Sequence, residues 1–160
     1  MDVDELLETL ARRGANLATA ESLTGGRLAA AVTSVPGASR VYVGGVVGYA
    51  SRVKQQLLGV APDLVERHGV VSAECARAMA EGARSVLGAT YALSTTGVAG
   101  PDEQEGRPVG TVFVAVAGPD GTTVTALELV GDRAAIQDRA SREALSALAA
   151  RLRGEEPDLG

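Results

Sequence analysis

Val3, Leu6, Leu7 and Leu10 recur at spacings of three and four residues near the start of the chain, the period of one buried helix face. Asp2 stands where an N-cap belongs, with Glu5 three residues on, and Gly14 is the expected stop. The pattern then changes. Residues 16–20 form a short apolar strand, Thr24-Gly25-Gly26 a turn, and residues 27–34 a second, almost wholly apolar helix halted by Pro36-Gly37. Residues 41–49 are β-rich and apolar in both parities, which predicts a strand inside a sheet with helices over both faces. A short helix is expected over 52–58, and Ser72 is placed to cap a long one whose stripe is Ala76, Met79, Ala80, Ala83 and Leu87. Strands follow at 90–95, 109–117 and 122–129, the last two joined by Gly118-Pro119-Asp120-Gly121, the turn chemistry of an antiparallel hairpin. Asp132 opens a final helix carrying Ile136, Ala140, Leu145, Leu148 and Leu152 inward. Early strand-helix alternation with a late hairpin predicts an α/β fold: a three-layer α/β/α sandwich on a mixed, mostly parallel sheet. One domain is expected over 1–153, with 154–160 as a flexible tail.

Charge and residue types narrow the function classes. A net charge of −5 over 160 residues opposes binding to a phosphate backbone, so no nucleic-acid partner is expected. The longest apolar-plus-glycine run, 41–50, is broken by Gly44, Gly45 and Gly48 and falls short of the roughly 20 residues a membrane span needs. The lone Cys75 can make no internal disulfide, and the segment MDVDELLETL lacks the basic-then-apolar layout of a signal peptide; a cytoplasmic location is expected. A chain with one histidine and one cysteine does not build a usual zinc site, and no metal or other cofactor is expected. His68, before Gly69, reads as a helix C-terminal residue, and Cys75 as a small buried hydrophobe.

Three small-residue turns follow three apolar strands. The first is Ala20-Glu21-Ser22-Leu23-Thr24-Gly25-Gly26, where a serine leaves the carboxyl end of a strand and the glycines precede a helix N-terminus. Such a turn holds a nucleophile, an oxyanion or a phosphate, or is simply a cap and a loop. The second, Gly48-Tyr49-Ala50-Ser51-Arg52-Val53-Lys54, places Lys54 one helical turn past Tyr49. A serine needs a base, and a desolvated neutral lysine supplies one; the alternative is a solvated surface charge. The third, Thr95-Thr96-Gly97-Val98-Ala99-Gly100-Pro101, offers hydroxyls and backbone amides to a ligand, or is only a turn.

AESLTGGRLAAAVTSVPGAS at 20–39, GGVVGYASRVKQQLLGV at 44–60, and TTGVAGPD with RPVGTVFVAV across 95–116 together resemble the CinA C-terminal domain family, over about residues 4–152. The resemblance implies a nicotinamide-nucleotide amidase that hydrolyses the carboxamide of nicotinamide mononucleotide to nicotinate mononucleotide and ammonia. It implies Ser22 as nucleophile, Lys54 as base aided by Tyr49, and Thr96 as the threonine after the third strand. Thr24, Gly25, Gly26, Gly97 and Gly100 would line the substrate, with oxyanion donors among the backbone amides near Gly25, Gly26 or Gly97. Arg133 and Gln137, four apart on the final helix, would face the nucleotide's phosphate. The chain departs from the family's pattern at Ser51, usually asparagine; at 102–107, usually glycine-rich and ending in Lys-Pro; and at Gln137, commonly arginine. A homodimer is the expected assembly. Competing readings are a non-catalytic nucleotide-binding or interaction domain and an amidohydrolase for another small carboxamide.

Overall fold

Five strands form one sheet in the order β2-β1-β3-β4-β5, and the first three positions decide where the chemistry sits. The structure is a computed structural model that describes residues 1–154, so the expected tail beyond Gly154 lies outside the described residues. Along the chain run α1 (Val3–Arg12), β1 (Leu17–Glu21), α2 (Arg27–Thr33), β2 (Tyr42–Val47), α3 (Ser51–Leu58), α4 (Pro62–His68) and α5 (Ala73–Val86). They are followed by β3 (Tyr91–Gly97), β4 (Thr111–Gly118), β5 (Gly121–Glu128) and α6 (Arg133–Leu152). β2 and β3 flank β1 in parallel, β4 runs against β3, and β5 against β4, so four of the five strands share one direction.

Side-chain parity along the strands divides the core into two layers. Leu17, Leu93, Val112, Val114 and Val116 face the layer that holds α1, α2 and α6, with Leu6, Leu10, Leu28, Ile136 and Leu148 against them. Ala18, Ala20, Ala92, Ala115 and Ala117 face α5, where Ala76, Met79, Ala80 and Ala83 are fully buried. Alanine against alanine lets α5 lie close on the sheet, and the two apolar clusters make the three-layer sandwich that strand-helix alternation predicts. The caps fall as expected: Asp2 and Glu5 form a capping box, Ser72 accepts the Cys75 N–H, and Asp132 accepts that of Ala135.

The expectation for 41–49 needs correction. β2 is an edge strand whose alternate residues are open, with Val43 and Val47 about half exposed, and it is not enclosed by helices on both faces. Its apolar character in both parities misleads because Gly44, Gly45 and Gly48 carry no side chain by which parity could be judged. Gly45 is required by close approach: a Cβ there would stand 2.2 Å from Thr19 Oγ1 and 2.7 Å from the Tyr42 hydroxyl, which bond each other at 2.7 Å.

Candidate active site

Glu21 pairs with both Val47 and Thr95 across the sheet, so β1, β2 and β3 end in one row and their three turns open on the same edge. Open α/β sheets bind ligands at that edge. A cavity of about 150 Å³ lies there, lined among others by Ser22, Leu23, Tyr49, Lys54, Thr96 and Arg133.

Lys54 is the most unusual group in it. The α3 turn that ends at Leu58 turns Lys54 and Leu58 inward together, and the lysine is only 1% exposed. Its Nζ donates to Ser22 Oγ at 3.0 Å and to the Tyr49 carbonyl at 3.2 Å. Burial pulls its pKa below the usual lysine range, with smaller opposing contributions from Cys75 and Glu105. A buried lysine with a lowered pKa, in contact with a serine hydroxyl, has the geometry of the Ser-Lys variants of the catalytic triad.

The turn around Ser22 is built by a residue that the sequence reading passed over. Glu21 is 1% exposed, and its carboxylate accepts the N–H groups of Gly26, Leu28 and Ala29 and the hydroxyl of Thr24. It therefore caps α2, whose N-cap Gly26 has no side chain for the purpose, and the helix dipole favours its charge. The only signal in the sequence is an acidic residue ahead of a helix that lacks any other capping side chain. Glu21→Ala strands several buried donors and should lower stability by about 3 kcal/mol in urea unfolding, with Glu21→Gln losing less.

Thr24, Gly25 and Gly26 must be reassigned accordingly. Thr24 is buried between Glu21 and Thr95, the Gly25 N–H donates to the Ser22 carbonyl, and the Gly26 N–H is taken by Glu21. None of the three lines the cavity. The Ser22 N–H goes to the Thr95 carbonyl, whereas those of Leu23 and Thr24 have no acceptor among the described residues. Gly97 and Gly100 do line the cavity. Gly97 is fixed by packing, since a Cβ would meet the Thr111 carbonyl at 2.5 Å.

The comparisons with known proteins agree with this architecture. A family model described as the CinA C-terminal domain matches residues 3–152. The chain belongs to the CinA C-terminal domain family. A CinA-like protein of Frankia casuarinae is 51% identical over 149 residues, which cover 93% of this chain and 34% of that protein. Another, from an Anaeromyxobacter species, is 52% identical over 145 residues, 90% of this chain and 35% of that one. The chain thus spans about a third of the length of these curated relatives. Among solved structures, competence damage-inducible protein A from Klebsiella pneumoniae is 34% identical, with a TM-score of 0.91 over 98% of this chain and 100% of that one. The competence/damage inducible protein from Agrobacterium tumefaciens is 33% identical, with a TM-score of 0.86 and 96% of each chain covered.

Within this CinA C-terminal domain the expected roles of Tyr49 and Gln137 change. Tyr49 meets Lys54 through its backbone carbonyl, while its ring is 62% exposed and its hydroxyl accepts from Arg133 at 3.0 Å. Arg133 also donates to the Gly100 carbonyl at 2.5 Å, tying together the rim of the cavity. Gln137 does not line the cavity: it is 7% exposed and donates to the Leu23 carbonyl at 2.8 Å, bracing the turn that follows Ser22. Helical spacing had put Arg133 and Gln137 on one face; packing of α6 on α2 covers the second and leaves the first at the rim. Thr96 lines the cavity, with its hydroxyl donated to the Val70 carbonyl at 2.6 Å. The other two residues weighed in the sequence lie as expected. Cys75 is fully buried, its thiol pushed up to about 11 by burial, and His68 lies 3.7 Å from Glu74 at the end of α4. Among the described residues, no three His, Cys, Asp or Glu side chains converge as a metal would need, and no helix is long and apolar enough to cross a membrane.

Proposed function

We propose that the chain is a serine amidase acting on the carboxamide of nicotinamide mononucleotide. The observation that carries this reading is the 3.0 Å contact between the buried Lys54 Nζ and Ser22 Oγ at the sheet edge. With Lys54 neutral, the same contact runs in reverse: its lone pair takes the Ser22 proton as Oγ attacks the carboxamide carbon. The Leu23 N–H follows the nucleophile directly in the chain and has no acceptor among the described residues, which suits it to receive the oxyanion. Lys54 then hands its proton to the departing nitrogen. Ammonia leaves, and water, deprotonated by Lys54, hydrolyses the ester on Ser22 to release nicotinate mononucleotide and restore the serine.

Size supports a substrate with a small reacting end. A cavity of about 150 Å³ is the volume that takes one six-membered ring, so a pyridine carboxamide would enter while ribose and phosphate remain at the rim with Tyr49 and Arg133. Gln137 has no part in phosphate binding on this reading; Arg133 does. A cytoplasmic location and a homodimeric state go with the proposal, and sedimentation measures the latter.

The test is direct. The purified chain should release ammonia and nicotinate mononucleotide one for one from the mononucleotide, with a chelator present throughout. Intact substrate after prolonged incubation at high enzyme concentration would refute the substrate, and turnover of a different carboxamide in a panel would redirect it.

A further inference from the structure

Val70, which lines the same cavity as Ser22, is gripped at both of its backbone polar groups. Its carbonyl accepts the Thr96 hydroxyl at 2.6 Å, and its N–H donates to Glu105 Oε2 at 3.1 Å, while the next N–H, of Val71, donates to Glu105 Oε1 at 2.8 Å. Glu105 belongs to the connection between β3 and β4, residues 98–110, which also contributes Val98, Asp102 and Gln104 to the cavity lining. Gln104 and Arg107 exchange backbone hydrogen bonds across a two-residue tip. At that tip Glu105 has φ 54° and Gly106 φ 72°. Asparagine or glycine is the usual occupant of such a position, and a glutamate held there carries backbone strain that its surroundings must offset. The partner segment makes room for it. Gly69 has φ 76°, and a Cβ on it would stand 2.7 Å from both Glu105 oxygens.

We propose that Glu105 is a positioning residue for the Ser22–Lys54 centre: its carboxylate latches the 98–110 loop to the Val70–Val71 backbone and so holds two walls of the cavity together. The inference rests on reading that cavity as the amidase site. Both oxygens are used, on adjacent N–H groups, so the latch fixes orientation as well as distance. Nothing in the sequence marks the residue, since it lies in a stretch of mixed acidic and glycine residues where the chain departs from its family's pattern.

The latch also brings a negative charge toward Lys54, and that charge favours the ammonium form against the burial that disfavours it. Of the other groups facing Lys54, Cys75 on α5 acts on it in the same direction as Glu105, although its own burial pushes the thiol up to about 11. The Ser22 hydroxyl and Tyr49 carbonyl are uncharged acceptors, and Asp102 and Arg133 stand on the same cavity with opposite signs. Removing the Glu105 charge should therefore let Lys54 lose its proton at lower pH.

Three variants of the full chain test this: Glu105→Ala, Glu105→Gln, and Glu103→Gln as a control on an exposed neighbour that does not line the cavity. With nicotinamide mononucleotide, Glu105→Ala should raise KM about tenfold while kcat stays within about threefold, as expected when the assembled cavity is populated about a tenth of the time. Two further readouts need no turnover. Hydrogen exchange at the Val70 and Val71 amides should accelerate in Glu105→Ala, and the pH dependence of Lys54 acetylation, followed by mass spectrometry, should move to lower pH in Glu105→Gln. Glu103→Gln should move none of these. Unchanged exchange at Val70 and Val71, an unmoved Lys54 titration, or an equal shift in the control would overturn the latch. Should the wild-type chain leave the mononucleotide intact, exchange and titration still decide the role of Glu105, which separates its failure from that of the substrate assignment. The near-isosteric Glu105→Gln carries the test if the alanine variant does not fold.

Discussion

Ser22→Ala is expected to lower kcat for mononucleotide hydrolysis by at least about a thousandfold and to leave KM within a few-fold. The change removes the only hydroxyl among the described residues that Lys54 Nζ reaches, which closes the proposed acyl-enzyme route, while the rest of the cavity lining is unchanged. Folding should survive. Lys54 keeps its bond to the Tyr49 carbonyl, and the turn is held by Glu21 and by the Ser22 N–H, none of which needs the hydroxyl. A loss of stability within about 1 kcal/mol in urea unfolding is therefore expected. Steady-state kinetics alongside that unfolding curve checks both halves, and near-normal turnover in a folded Ser22→Ala protein would eliminate the serine mechanism.

Lys54→Met should abolish turnover to a similar extent, and at the same time make the protein more stable. A lysine that is buried and whose pKa is depressed opposes folding, because the unfolded chain binds a proton that the folded one resists. Methionine fills a similar volume and has no charge to desolvate. Above the unfolded lysine value of 10.5 both states are neutral and the two proteins should be close in stability. As pH falls from there, the wild type loses stability relative to the variant until it passes its folded value, below which the difference is constant. The variant's advantage should reach about 1 kcal/mol on that plateau, the ordinary scale for relieving a functional strain. Activity of the wild type should show the matching limb, rising with pH as Lys54 loses its proton. Thermal melts of both proteins across pH 6–11, set beside the wild-type pH–rate profile, test the linkage; equal stabilities at every pH would mean that Lys54 is not penalised by its site.

What the sequence discloses about this site follows from range. The convergence of three turns was legible because strand, turn and helix signals are local, and parallel pairing of β1 with β2 and β3 then aligns their ends. Lys54 could be paired with Ser22 only as a possibility, since the same heptapeptide serves a solvated lysine; its inward direction comes from α3 packing on α5. Glu21 and Glu105 escaped notice for a different reason. Each works by accepting backbone N–H groups, and a backbone partner leaves no trace in the identity of the residue that offers it. Gln137 shows the converse: helical periodicity gave the right face relative to Arg133, but whether that face meets solvent or the Leu23 carbonyl depends on how α6 seats on α2. Glycine misled twice. In the sequence Gly25 and Gly26 resemble open amides awaiting a ligand, yet both are spent within the turn.

The central claim is that Ser22 Oγ becomes acylated by the substrate, and the measurement closest to it is peptide mass spectrometry of the wild-type protein quenched in acid during incubation with the mononucleotide, with hydroxylamine added to a parallel reaction. The account predicts the acyl mass of the mononucleotide acid on the peptide that contains Ser22, absent from Ser22→Ala, and diversion of product to the hydroxamate when hydroxylamine competes with water. Steady ammonia release with no adduct on that peptide at any time, and no hydroxamate, would contradict it.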